Sequence, residues 1–321
     1  ESRMIHSTQQ SDMFLTWYRT NEQILVSEEN PYQIVLTALQ VSEEFLREQG
    51  IPCQGYYSVT IQSELDDQDS GTKYGLGSSG AVTVATVEAI LLYYGYELDP
   101  LLVFKLSVLT QARLNMTGSH GDLAASSFRG LVAYYSLDKS WLSEQMSVQG
   151  LSNLLASDWK DLQIKQIGLP APLELLVGWT GSAASTTHLV SHMESKKTQQ
   201  SKEEIYSQFL NDSKVCVEQL IWACQNKDIP CIKQAVTRNR YLLRKFSEDM
   251  SLTIETPLLT ELCDSAEANG AVAKSSGAGG GDCGICLVDS QEQKEAIQII
   301  WEQAGIFPLP LTIAERNKER I

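Results

Sequence analysis

No run of about 18 apolar residues exists in this 321-residue chain, so it lacks the stretch a membrane helix requires. No signal-peptide pattern opens it, and a soluble, cytoplasmic protein is expected. Positive charge is scarce: 25 Lys and Arg stand against 40 Asp and Glu, a formal net charge of −15. A nucleic-acid partner needs clustered cations, and the balance argues against one. A small anion stays open, because one or two local cations suffice inside an acidic protein. A disulfide framework is missing too. The seven cysteines are odd in number and scattered in mostly apolar contexts, as reduced thiols would be. There is no internal repeat, and strands and helices do not keep the regular βαβ rhythm of a doubly wound sheet. An α+β fold is expected, with length enough for two domains.

What the chain does have is Lys73-Tyr-Gly-Leu-Gly-Ser-Ser-Gly-Ala-Val82, with three glycines and two hydroxyls in ten residues ahead of an apolar helix. Successive backbone N–H groups in such a turn can point at one anion, and the positive end of the helix adds to that field. The spacing fits neither familiar nucleotide loop. A Lys-Ser pair after the second glycine is absent, and so is G-x-G-x-x-G after a strand. A generic glycine-rich turn is the plainer alternative.

Coarse patterning places helices at 31–50, 80–94 and 100–115, then at 203–226, 231–247, 257–270 and 291–304. Tyr57, Val59 and Ile61 alternate with polar residues as a half-buried strand. Further strands are expected at 131–135, 173–179 and 306–312, with strand, glycine loop and strand over 271–288. Residues 195–203 read as a polar linker.

The second glycine-rich element is Lys274-Ser-Ser-Gly-Ala-Gly-Gly-Gly-Asp-Cys-Gly284, with five glycines in its last eight positions. A simple bend needs one or two, so close backbone approach to a ligand is the stronger reading. Two hydroxyl-glycine loops in one chain favour a phosphoryl-transfer or phosphate-binding enzyme. In Gly118-Ser119-His120-Gly121-Asp122, the aspartate can serve as an acid/base or cap the helix that follows; the residues alone leave both open. Cys283-x-x-Cys286 has metal spacing but lacks a second ligand pair, and on a strand its sulfurs diverge. His188-x-x-x-His192 lacks the metalloprotease glutamate, since Leu189 follows the first histidine.

Together these loops resemble the galactokinase–homoserine kinase–mevalonate kinase–phosphomevalonate kinase (GHMP kinase) superfamily. The lysine ahead of the first loop and the Gly-Gly-Gly-Asp-Cys of the last are similar to its bacterial phosphomevalonate kinase branch, as is Val177-Gly-Trp-Thr180 with Ser185 to His188. The resemblance spans roughly residues 30–312. It implies an N-terminal ribosomal-protein-like α/β domain (1–168) and a ferredoxin-like C-terminal domain (169–321), with both substrates in the cleft between them. It implies ATP and Mg²⁺ as cofactors and 5-phosphomevalonate as a small-molecule acceptor. Gly75, Leu76, Gly77, Ser78, Ser79, Gly80 and Ala81 would wrap the ATP phosphates, and Ser79 and Asp122 would hold the metal. Asp122 and Lys73 would be catalytic. Lys73, Ser119, His120, Thr186, Thr187, Lys274, Ser276, Gly277 and Ala278 would surround the acceptor. Two departures stand out. Where mevalonate kinases carry a metal-binding glutamate eleven residues before the catalytic aspartate, this chain has Gln111. The superfamily's first motif has no match between Glu1 and Pro31, and the chain does not begin with Met. The first domain is therefore expected to lack its opening hairpin and to leave a sheet edge bare.

Overall fold

The computed structural model describes residues 4–7, 10–20, 23–25, 30–67, 70–182 and 200–314. Its contacts divide the chain into two compact units, one drawn from residues 1–64 and 77–166 and the other from 65–76 and 167–314. Both mix helices with sheet, so the molecule is α+β.

In the first unit β1 (Met4–Ser7) pairs antiparallel with β2 (Gln10–Thr16) and parallel with β5 (Val59–Ile61). An opening hairpin is therefore present, which corrects the expectation that it was missing. Short pairing segments of this kind, with β3 (Arg19–Thr20) and β4 (Gln23–Ile24) only two residues each, carry too little alternation to be read from sequence. Ile5, Trp17 and Ile24 pack on Leu36 and Leu39 of α1 (Gln33–Glu48).

The main core of this unit joins α1 with α2 (Ser78–Tyr93), α3 (Pro100–Arg113) and α4 (Gly121–Phe128). The start of α3 was legible because Asp99 accepts from the Leu102 N–H at 2.9 Å and Pro100 takes the first turn. Every residue of α3 from Val103 to Gln111 is buried, including Lys105. Its ammonium donates to the carbonyls of Leu155 and Ser157 at 2.8 Å each, at the C-terminal end of a short helix, α6 (Leu151–Ala156). Before it lies α5 (Lys139–Val148), and a two-stranded sheet joins β6 (Leu131–Tyr135) to β7 (Gln163–Ile167). The helices at 139–156 and the strand at 163–167 went unread in the sequence.

The second unit is built on an antiparallel sheet in the order β11 (Phe307–Leu309), β8 (Glu174–Trp179), β10 (Cys283–Val288), β9 (Val272–Ser275). Leu262 and Cys263 of α9 (Pro257–Ala268) and Ile297 and Trp301 of α10 (Gln291–Gln303) fill one face with Leu176 and Cys286. Cys283 belongs to a different cluster with Val177 and Trp179, so the two sulfurs do diverge across the sheet. Two long helices, α7 (Gln200–Asn226) and α8 (Ile229–Met250), complete the unit. Among the described residues no helix is long and apolar enough to cross a membrane.

The first unit depends on one buried charge. Glu43 is fully buried and takes a bidentate pair from Arg19, with both N–O distances 2.5 Å, and the Tyr57 hydroxyl at 2.9 Å. The guanidinium carbon lies 4.9 Å from the Trp17 ring centroid, which ties the strand side to α1. Arg19→Met would remove the bidentate partner and leave the buried carboxylate only the longer Arg47 pair, at 3.5 Å, and the hydroxyls of Tyr57 and Tyr94. We expect a loss of about 3–5 kcal/mol in urea unfolding, and a loss under about 1 kcal/mol would show that water reaches Glu43 instead.

Candidate active site

The helix opened by the first glycine loop begins with its donors unsatisfied. Gly77 stands at the N-cap of α2 with φ +77°, and no side chain caps the helix. The first-turn N–H groups have no intrahelical acceptor, and the dipole adds positive potential there. The Ser79 hydroxyl oxygen is buried at this mouth with no hydrogen-bond partner. An unpaired buried hydroxyl beside free amide donors is what a phosphate oxygen or a hard cation would satisfy.

Asp122 lies on the same mouth. A Cβ added to Gly80 would stand 2.3 Å from its Oδ2 and 2.7 Å from its Cγ, and one added to Gly77 would stand 3.1 Å from its Cβ. The carboxylate thus occupies space that only glycine leaves open. The alternative role as a helix cap is not taken up: α4 starts at Gly121, His120 holds the cap position, and there is no side-chain cap hydrogen bond. Among the described residues Asp122 makes no ion pair. Ser79 and Asp122 offer a hydroxyl and a carboxylate, the oxygen donors Mg²⁺ prefers when phosphates and water supply its remaining ligands.

The turn before Asp122 is fixed from three sides. The Tyr134 hydroxyl donates to the Ser119 carbonyl at 2.7 Å, and the Lys139 ammonium donates to that of Gly118. His120 is buried at φ +62°, with Nδ1 3.2 Å from Oε1 of Gln111. Burial lowers its pKa, Lys139 adds to that effect, and Asp122 opposes it. The ring is thus engaged within the turn, whereas the sequence reading set it at the acceptor. Ser119 is exposed.

In the second unit Lys73 is exposed and bridges to Asp66 through the backbone. Gly75 has φ +74°, and an added Cβ would meet Asp282 Cγ at 2.3 Å. Asp282 is held by its own backbone: its carbonyl accepts from the N–H and the hydroxyl of Thr180, both at 2.9 Å, and its N–H donates to Ser182 at 2.8 Å. Next to it the Cys283 thiol donates to the Tyr74 carbonyl at 3.1 Å. Its pKa is pushed up to about 12 by burial and by the Asp282 charge. Gly277, Gly279, Gly280, Gly281 and Asp282 all have positive φ. With Gly75, Ser276 and Ala278 this loop lines a cavity of about 80 Å³.

Lys274 is not on that cavity. It sits within β9 opposite Ile285, and its ammonium donates to the Ser275 carbonyl at 2.5 Å. Burial lowers its pKa, partly offset by Cys263 and Cys216. Its ammonium is thus engaged with the backbone of the next residue, whereas the sequence reading set it at the acceptor. Thr186 and Thr187, with Ser185, His188 and His192, lie outside the described residues. Asp282, Tyr134 and Lys139 were missed as site residues. Only Asp282 carried a signal, as the charge that directly follows three glycines.

Comparison with known proteins places these loops in company. The GHMP kinases N-terminal domain model matches residues 34–130, and the GHMP kinases C-terminal model matches 220–306. A phosphomevalonate kinase of Streptomyces sp. (strain CL190) is 38% identical over 282 residues, covering 87% of this chain and 74% of that protein. The Lin0012 protein from Listeria innocua superposes with a TM-score of 0.90 at 32% identity, over 98% of this chain and 86% of the other. A Streptococcus pneumoniae phosphomevalonate kinase in complex with phosphomevalonate and AMPPNP gives 0.82 at 31% identity, over 96% of this chain and 86% of the other.

The seating of Asp282 on Gly75 is testable against an internal control. Gly95 has nearly the same φ, +73°, but nothing within 4 Å of an added Cβ. Gly95→Ala is expected to cost about 1–2 kcal/mol for the left-handed backbone alone. Gly75→Ala is expected to cost a further 1–3 kcal/mol or so for overpacking. Equal losses in urea unfolding would show that Asp282 swings aside freely.

Proposed function

This chain belongs to the GHMP kinase family, and we propose that it transfers the γ-phosphoryl group of ATP to the phosphate of 5-phosphomevalonate, giving 5-diphosphomevalonate and ADP. The observation that supports phosphoryl transfer is the mouth of α2, where the orphaned Ser79 hydroxyl and the Asp122 carboxylate meet unsatisfied amide donors. The choice of acceptor rests on the likeness to the Streptomyces enzyme and on the lysine ahead of the loop.

In this reading residues 75–81 receive the ATP phosphates on backbone N–H groups, and Ser79 and Asp122 hold Mg²⁺. Mg²⁺ supplies neutralisation of the charge that builds on the transferring group. The acceptor is already an anionic phosphate at neutral pH, with a second pKa of about 6, so no base needs to remove a proton. Asp122 then acts by charge, holding a cation rather than accepting a proton. Lys73 is exposed on its loop and free to reach an acceptor phosphate as a point charge. Ser119, Ser276, Gly277 and Ala278 complete the proposed acceptor contacts, with Thr186 and Thr187 proposed from the resemblance alone.

ADP release measured with phosphomevalonate, and with mevalonate as the competing acceptor, tests the reaction; turnover of mevalonate alone would overturn the choice of acceptor. Ser79→Ala is expected to keep its fold and lose turnover equivalent to roughly 2–4 kcal/mol. Asp122→Asn should lower kcat by about 10²-fold or more, and a wild-type kcat would return Asp122 to a structural role. Lys73→Met is expected to raise the KM for phosphomevalonate far more than that for ATP. An equal rise in both would move Lys73 to the nucleotide.

A further inference from the structure

Between α3 and α4 the chain reverses through residues 114–120, and Gln111 holds both ends of that turn. Its backbone carbonyl accepts from the N–H groups of Leu114 at 3.2 Å and Met116 at 3.0 Å, closing α3. Its side-chain oxygen lies 3.2 Å from Nδ1 of His120. With the amide oxygen as acceptor, the contact requires the imidazole proton on Nδ1. Gln111 is 5% exposed and His120 is 6% exposed, so neither contact is replaceable by solvent.

The backbone of His120 makes the contact matter. At φ +62° it lies in the left-handed region, which costs a non-glycine residue energy and persists only where surrounding contacts impose it. It is also the N-cap of α4 and contributes no side-chain cap, so its ring is not engaged in ending the helix. Two residues on, Asp122 must reach the mouth of α2, where its oxygen comes within bonding range of where a Gly80 Cβ would be. A small rotation at residue 120 would carry it away.

We propose that Gln111 and His120 form a positioning pair, which fixes the turn that delivers Asp122 to Gly80 and touches no substrate itself. Position 111 is thereby committed to loop geometry in this chain and is not a second cation ligand. The proposal rests on the reading of Asp122 given above, and its test has an arm that does not depend on activity.

Gln111→Met keeps the length and removes the acceptor. His120→Asn tolerates the left-handed backbone but is too short to reach Gln111. In wild type, ¹⁵N-edited NMR should show a slowly exchanging imidazole N–H that His120→Asn abolishes and Gln111→Met exposes to exchange. Each variant should lower kcat about tenfold or more while the KM for ATP stays within about twofold, and the double variant should be no worse than the poorer single one. Gln111→Glu retains the acceptor and should recover most of kcat, with the half-saturating Mg²⁺ concentration unchanged. Tightened Mg²⁺ dependence in that variant, fully additive losses, or wild-type kcat in both folded single variants would overturn the proposal. Should Gln111→Met not fold, His120→Asn carries the same comparison. Crystal structures of the two single variants are the arm independent of turnover: Asp122 displaced from Gly80 supports the pair, and Asp122 unmoved refutes it even if the reaction assigned above proves wrong.

Discussion

The carboxylate of Asp122 fills the volume that a side chain at position 80 would need, and the first glycine loop is organised around that fact. A glycine-rich helix mouth is usually explained by the phosphate it admits. Here Gly80 is required before any ligand arrives, because a protein carboxylate already lies on its Cα. That carboxylate also changes the electrostatics of the mouth. Free amide donors and the helix dipole favour an anion, whereas the aspartate beside them opposes one. On the proposed reading, a divalent cation held by Asp122 and Ser79 would reconcile the two preferences.

The second glycine loop repeats the device within its own unit. Asp282 sits on Gly75 as Asp122 sits on Gly80, and in both cases the carboxylate fills space that only a glycine leaves open. The Cys283 thiol adds a hydrogen bond to the residue before Gly75, and its raised pKa keeps it a donor at neutral pH. Residues 73–76 are thus pinned by 282–283, while residues 77–81 belong to the helix that Asp122 faces. Each half of the first loop owes its shape to an aspartate from elsewhere in the chain.

Local signals were legible and directional ones were not. Asp99 before Pro100, and Thr256 before Pro257, announce helix starts because capping and proline geometry are written in adjacent residues. The glycine loops were equally plain, since glycine is the residue that most readily serves left-handed turns. For His120 and Lys274 the sequence shows that a residue lies near a loop, not which way it points. Lys274 sits in a strand, where alternation sends successive side chains to opposite faces. His120 had a partner nine residues away across a turn, visible only once α3 and α4 were placed. The opening strands escaped because two- to seven-residue segments held by Arg19, Glu43 and Trp17 draw their stability from contacts far along the chain.

An acidic protein that handles phosphates poses an electrostatic problem, and the structure answers it at short range. With a net charge of −15 the long-range field repels a polyanion, and exposed lysines near the loops are few. Backbone amides at the α2 mouth act only over hydrogen-bond distances, where solvent ions screen little. They also carry no net charge, so they add nothing that must be neutralised when the site is empty. The lysines that look available are otherwise employed: Lys105 closes a helix, Lys139 holds the Gly118 carbonyl and Lys274 is enclosed beside thiols. On the proposed reading, affinity for the nucleotide would come from oriented dipoles and a metal ion. In the same reading Lys73, the exposed cation on the first loop, would discriminate an acceptor that carries a phosphate from one that does not.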